Sequence, residues 1–212
     1  MTAETDLRQK LVRMGALLYN RQLAHGSAGN LSVRLEDGSI LITPTNSSLG
    51  FLEADRISKL KPDGDLISGD RPSKEYFFHL AVYDERPAAQ AIVHLHSTYS
   101  TAVSCLCHES TENVLPPLTA YHVMRVGKLP LVRYFRPGDR ALADEVRAVS
   151  RHHRSMLLAN HGPIVSGASI EEAVYAYEEL EETAKLYFII GDRKASLLRA
   201  EEIAEIDRAF PN

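Results

Sequence analysis

NLSVRLEDGSILITP, residues 30–44, is the stretch on which the fold turns. An apolar-polar alternation, Leu31 to Leu35, and a short apolar run, Ile40 to Ile42, flank Asp37-Gly38. Side chains alternate across a strand, so each run offers an apolar face. An Asp-Gly pair between such runs is a hairpin signal. A hairpin sets its strands antiparallel and needs no crossover helix.

Before this stretch, Leu7, Leu11, Met14 and Leu18 recur at helical spacing and predict a helix over 4–24, broken at Gly26 and Gly29. Residues 53–70 read as a short helix, a strand, a turn at Asp63-Gly64 and more strand. SKEYFFHLAVYDER, residues 73–86, reads as a helix capped by Ser73, with Glu75 two residues inside it. AIVHLHS (91–97) reads as a strand with a helix, STYSTAVSCLC, directly behind it. PLVRYF predicts a strand and ALADEVRAVSRHHR a helix. SMLLANHG (155–162) reads as a buried strand ending at Gly162, with PIVSG as its hairpin partner. Residues 169–191 give the clearest helix, with a Ser169/Glu172 capping box and a Gly191 stop, and a last helix spans 200–208. Strands outnumber β-α-β units. The expected fold is α/β, close to α+β: a single domain over 1–212 with a mostly antiparallel central sheet flanked by helices.

Composition narrows the function classes. The length of 212 residues suits one domain. A net charge of -4 gives no electrostatic case for nucleic acid. No apolar run approaches the length of a membrane span, and MTAETDLRQK has no secretory apolar core, so a cytoplasmic setting is expected. Cys105 and Cys107 stand too close for an ordinary disulfide and read as buried small hydrophobes.

The chemistry starts at the two histidines of AIVHLHS. On a strand, His94 and His96 share one face, with Cα atoms about 6–7 Å apart, while Val93 and Leu95 take the other. One metal ion can close that span; two satisfied core histidines are the alternative. His161 stands at a strand end beside Gly162, where backbone or ligand can approach closely. Three imidazoles at strand ends could make a catalytic zinc site with an open fourth position, able to polarise a carbonyl and stabilise an enolate. GSAGNLS (26–32) and TPTNSSLG (43–50) are rich in glycine, hydroxyl and amide groups, and with Ser73 they could turn donors toward a phosphate; read singly, each is a turn. Glu75 could favour a helix dipole or project into the same pocket as an acid–base.

GSAGNLSVR, TPT-x-S, PS-x-E, H-x-H and NHG follow in this order over residues 26–162. The ordered set resembles the class II aldolase/adducin family. The resemblance implies that His94, His96 and His161 ligate zinc, one ion per subunit. It implies that Glu75 ligates the resting metal and then shuttles protons. It places Ser27, Gly29, Asn30, Thr45, Asn46 and Ser73 on a substrate phosphate. It further implies a homotetramer with sites at subunit interfaces. Lys74 departs from the small hydroxyl residue common in aldolases of this family, and it can contact phosphate or a substrate carboxylate or lie exposed.

PTNSSLG, SGDRPSKE, VHLHSTYSTAVSCL, LPPLTAYHVMRVGKLPL, RPGD and LLANHGPIV resemble one branch within the family. That branch decarboxylates a phosphorylated four-carbon 3-oxo sugar acid. Tyr121 falls where relatives place an aromatic hydroxyl near the substrate; a core tyrosine is the alternative. Retro-aldol cleavage of a sugar phosphate is the nearest competing chemistry. A non-catalytic head domain like that of adducin would lack metal ligands, and here all three histidines and Glu75 are present.

Overall fold

The Asp37-Gly38 hairpin is present. In the computed structural model, which describes residues 3–210, β1 (Asn30–Arg34) and β2 (Ile40–Ile42) pair antiparallel with Val33 opposite Leu41. Asp37 closes the turn by accepting the backbone N–H of Ser39 at 2.9 Å, and Gly38 supplies a φ of 80° that other residues rarely adopt.

The other strands are β3 (Ser58–Leu60), β4 (Leu66–Ser68), β5 (Ala91–His94), β6 (Leu131–Val132), β7 (Ser155–Leu158) and β8 (Gly162–Gly167). They join one sheet in the order β4-β3-β2-β1-β5-β8-β7-β6. Every neighbouring pair is antiparallel except β6 with β7. The helices are α1 (Ala3–Asn20), α2 (Tyr76–Glu85), α3 (Thr98–Ser104), α4 (Ala120–Arg125), α5 (Leu142–Ser150), α6 (Ile170–Ile190) and α7 (Ala200–Ala209).

Strand alternation splits the core into two layers. Leu31, Val33, Val93 and Val165 meet Leu11 and Leu18 of α1 and Tyr177 and Leu180 of α6. Ile42, Ile92, Met156 and Ile164 meet Phe78 and Val82 of α2 and Val146 of α5 on the other face. Each such side chain stabilises the fold by about 1.5–3 kcal/mol when fully buried. Val93 and Leu95 lie in the first layer, so the sequence's assignment of faces around the H-x-H holds.

Several expectations need correction. Helix α2 opens at Tyr76, and Ser73 is not its cap. Residues 71–73 are held extended, because Thr45 N–H donates to Arg71 O and Ser73 N–H to Thr43 O, around a bridge between Pro44 and Pro72. Glu75 is therefore the residue before the helix and not part of its first turn. Strand β7 stops at Leu158; Gly162 opens β8, and His161 lies in the three-residue turn between them. The strand read over 130–135 shrinks to two residues that pair only with β7. Helix α4 escaped the reading because six residues are too few to show a period; Thr119 caps it, accepting His122 N–H at 3.0 Å. Cys105 and Cys107 are exposed, because α3 ends at Ser104 and both lie beyond it.

Candidate active site

Close backbone contacts assemble the centre. A Cβ on Gly29 would lie 2.8 Å from His94 O, and one on Gly162 would lie 2.4 Å from Leu95 O. Both positions need glycine for this reason. The segment from His94 to His96 is thereby gripped from the β1 side and the β8 side together. Beyond it, α3 begins on a buried carboxylate from α6: Glu181 accepts the N–H groups of Tyr99 at 2.8 Å and Ser100 at 2.9 Å, and the Ser97 hydroxyl at 2.8 Å. A carboxylate there satisfies helix N–H groups that otherwise lack partners.

His94 is fully buried, with its ring edge-on to Phe78 at 5.2 Å between centroids. Its Nδ1 lies 2.9 Å from Pro163 O. A carbonyl only accepts, so Nδ1 carries the proton and the Nε2 lone pair points inward. There Nε2 meets His96 Nε2 at 3.2 Å and a Glu75 carboxylate oxygen at 3.4 Å. His161 Nε2 lies 3.2 Å from the other Glu75 oxygen. The turn carrying His161 is tied to α3, with His161 N–H donating to Ser104 Oγ and Thr101 Oγ1 donating to His161 O, each at 3.2 Å.

One donor atom from each of Glu75, His94, His96 and His161 lies within 4.8 Å of the others. Burial pushes His94 well below the usual imidazole range, and burial with the nearby His161 brings His96 down to about 4. Burial works against the charge on Glu75, yet its carboxyl is held below the usual range, with the Asn30 amide donating to it. Three imidazoles and one carboxylate converging on a point form a donor set that suits zinc or another borderline divalent cation.

The cluster opens on a cavity of about 240 Å³. Ser27, Gly29, Asn30, Thr45, Asn46, Ser73 and Lys74 line it together with Glu75 and His96. The two polar loops and the turn before α2 thus meet in one place. Asn30 directs its side chain at Glu75, with Nδ2 donating to the carboxylate at 2.7 Å. Tyr121 is not among the lining residues; it stands on α4, 60% exposed. His79, Ser32 and Tyr83 were missed by sequence reasoning. They continue the hydrogen bonds behind Asn30. The available signal was a spacing of four, Glu75, His79, Tyr83, facing the alternate residues Asn30 and Ser32 of β1.

With this fold and site, the chain belongs to the class II aldolase/adducin family: the model for the class II aldolase and adducin N-terminal domain matches residues 9–188. It is 51% identical to a 3-oxo-tetronate 4-phosphate decarboxylase of Pectobacterium atrosepticum, over 97% of this chain and 94% of that one. It is 52% identical to the protein of the same name from Escherichia coli K12, over 96% of each. The crystal structure of YgbL from Escherichia coli superposes with a TM-score of 0.95 at 50% identity, covering 97% of this chain and 99% of that one. An L-fuculose 1-phosphate aldolase superposes with a TM-score of 0.89 at 28% identity, covering 100% and 98%. The names of these relatives, decarboxylase and aldolase, are those of lyases, and the class II aldolase family is divalent-metal dependent. Among the described residues, no helix is long and apolar enough to cross a membrane.

Proposed function

We propose that this chain decarboxylates 3-oxo-tetronate 4-phosphate to dihydroxyacetone phosphate and CO2, with zinc as its metal, as a cytoplasmic homotetramer. The observation that carries the reading is the convergence of four metal-donor groups, two of which, Glu75 and His96, line a cavity that also carries hydroxyl, amide and backbone donors. The names of near-full-length relatives supply the substrate.

The substrate is a β-keto acid. Breaking its C1–C2 bond releases CO2 and leaves the electron pair on C2, conjugated with the C3 carbonyl. A divalent cation held by His94, His96 and His161, with Glu75 as a further donor, would supply a Lewis acid for that charge. Ser27, Gly29, Thr45, Asn46 and Ser73 hold the phosphate end and fix the distance from it to C2. Glu75, on the cavity wall, relays a proton taken from water to C2, leaving hydroxide to solvent, and completes dihydroxyacetone phosphate. Lys74, exposed at the cavity rim, pairs with the departing carboxylate or with the phosphate. Tyr121 enters the scheme from an adjoining subunit, since its own chain leaves it outside the cavity.

Retro-aldol cleavage is the second reading, favoured by the fold shared with the fuculose-phosphate enzyme. It needs a base for the departing hydroxyl, whereas CO2 loss does not. The test is zinc-loaded protein with 3-oxo-tetronate 4-phosphate, with and without chelator, following CO2 and dihydroxyacetone phosphate together. Equal, chelator-sensitive release of both is expected. No release from metal-replete protein, with cleavage of a ketose phosphate instead, would move the assignment to the aldolase.

A further inference from the structure

Behind Glu75 runs a line of buried polar groups that the proposed reaction does not use. Glu75, His79 and Tyr83 stand four residues apart, and they face Asn30 and Ser32 on β1. Tyr83 Oη lies 2.8 Å from Ser32 Oγ, and Ser32 Oγ lies 2.7 Å from His79 Nδ1. His79 Nε2 contacts Asn30 Oδ1, and Asn30 Nδ2 lies 2.7 Å from Glu75 Oε2. Ser32 and His79 are fully buried, and Asn30 and Tyr83 nearly so.

Chemistry fixes the direction of every bond. An ionised carboxylate only accepts, so Asn30 must turn its NH2 toward Glu75 and its oxygen toward His79. His79 Nε2 must then carry a proton. Burial pushes His79 down to about 3, so the ring is neutral near pH 7 and its Nδ1 can only accept. Ser32 donates to Nδ1 and accepts from Tyr83. One assignment satisfies all four contacts. If His79 were the other tautomer, Nε2 would seek a donor, Asn30 would flip, and an amide oxygen would face the carboxylate. Phe78 holds the imidazole plane by stacking on it at 5.0 Å, and the same ring meets His94 edge-on.

We propose that His79 is a positioning residue for Glu75, acting through Asn30 at the end of a one-way hydrogen-bond chain that starts at Tyr83. The proposal rests on Glu75 being the proton-carrying carboxylate. The chain gives Oε2 a fixed donor and leaves Oε1 toward His161 and the cavity. A buried polar line is costly unless every member is satisfied, and this one ends at the single carboxylate of the metal cluster.

The first test uses the wild-type chain without activity: nitrogen-15 NMR of the imidazole rings, metal-free and zinc-loaded. His79 is expected as the Nε2–H tautomer in both, and an Nδ1–H tautomer would overturn the proposal. The second test compares His79→Leu with His79→Gln, whose terminal amide can place an N–H near the Nε2 position. For His79→Leu we expect kcat lower by roughly 10–100-fold, with KM little changed and zinc retained in competition with a chelator. His79→Gln should restore most of the loss. Unchanged kcat in folded His79→Leu would refute the proposal, as would equal losses in the two variants. A wild-type chain with no decarboxylase turnover would instead overturn the functional reading and leave the tautomer to decide the positioning role.

Discussion

His94 and Tyr121 were both expected at the substrate, and the chain treats them in opposite ways. His94 is fully buried, bonded through Nδ1 and clamped by Phe78. Tyr121 is 60% exposed on a six-residue helix, with Arg125 near its ring. One region is positioned wholly by its own sheet and helices. The other presents a large aromatic to whatever lies next to it. A single chain thus brings together all four metal-donor groups, while Tyr121 faces outward, as the proposed homotetramer would use it.

The largest expected effect lies at the complete end. Glu75→Gln keeps the size and the hydrogen bond of the side chain but cannot carry the proton. Turnover should fall by about 10²–10⁴-fold with metal content largely retained. A near-normal rate with bound zinc would remove Glu75 from proton transfer. At the other end, Tyr121→Phe should lower kcat by roughly tenfold or more if the hydroxyl donates a proton or orients the carboxylate. The comparison sharpens when the two variants are unfolded, mixed and refolded together. A tyrosine that crosses to the partner's cavity pairs with an intact Glu75 in a fraction of the mixed sites, and activity should rise above either parent. No recovery would return Tyr121 to its own chain or to a structural role.

The smallest effect concerns stability and pH. His79 and His122 are buried on α2 and α4, and burial holds them at about 3 and about 4, below the ordinary 6.5. The unfolded chain binds protons that the folded chain refuses between those values and 6.5. The stability from both groups is fully present above pH 6.5 and is lost as pH falls through that window. Each contributes a slope of at most about 1.4 kcal/mol per pH unit. Denaturant midpoints of the metal-free protein at pH 7.5 and pH 5, to which His94 and His96 add with the same sign, check this; equal midpoints would mean that water reaches the buried rings.

Local features were legible. The Asp37-Gly38 hairpin, the H-x-H alternation and the stop of α6 at Gly191 depend on residues adjacent in sequence. The capping box was legible in half: Ser169 Oγ accepts Glu172 N–H, but the Glu172 carboxylate accepts from Ala168 N–H and not from the cap residue. Ser73 misled because its helix-cap chemistry is real but local, and the bridge from Pro44 to Pro72 overrides it. The cysteines misled because an apolar neighbourhood in sequence says nothing of where a seven-residue helix ends.

A mostly antiparallel sheet, the ligand types and the order of the polar loops were readable residue by residue, because period-two alternation, turn residues and donor chemistry are properties of short segments. That residues 27, 45, 73, 75 and 96 share one cavity, and that His79 stands behind Asn30, emerges from the folded chain alone. Those placements follow from sheet register and helix packing. These bring together side chains some 20 to 70 positions apart, and no local pattern encodes such distances.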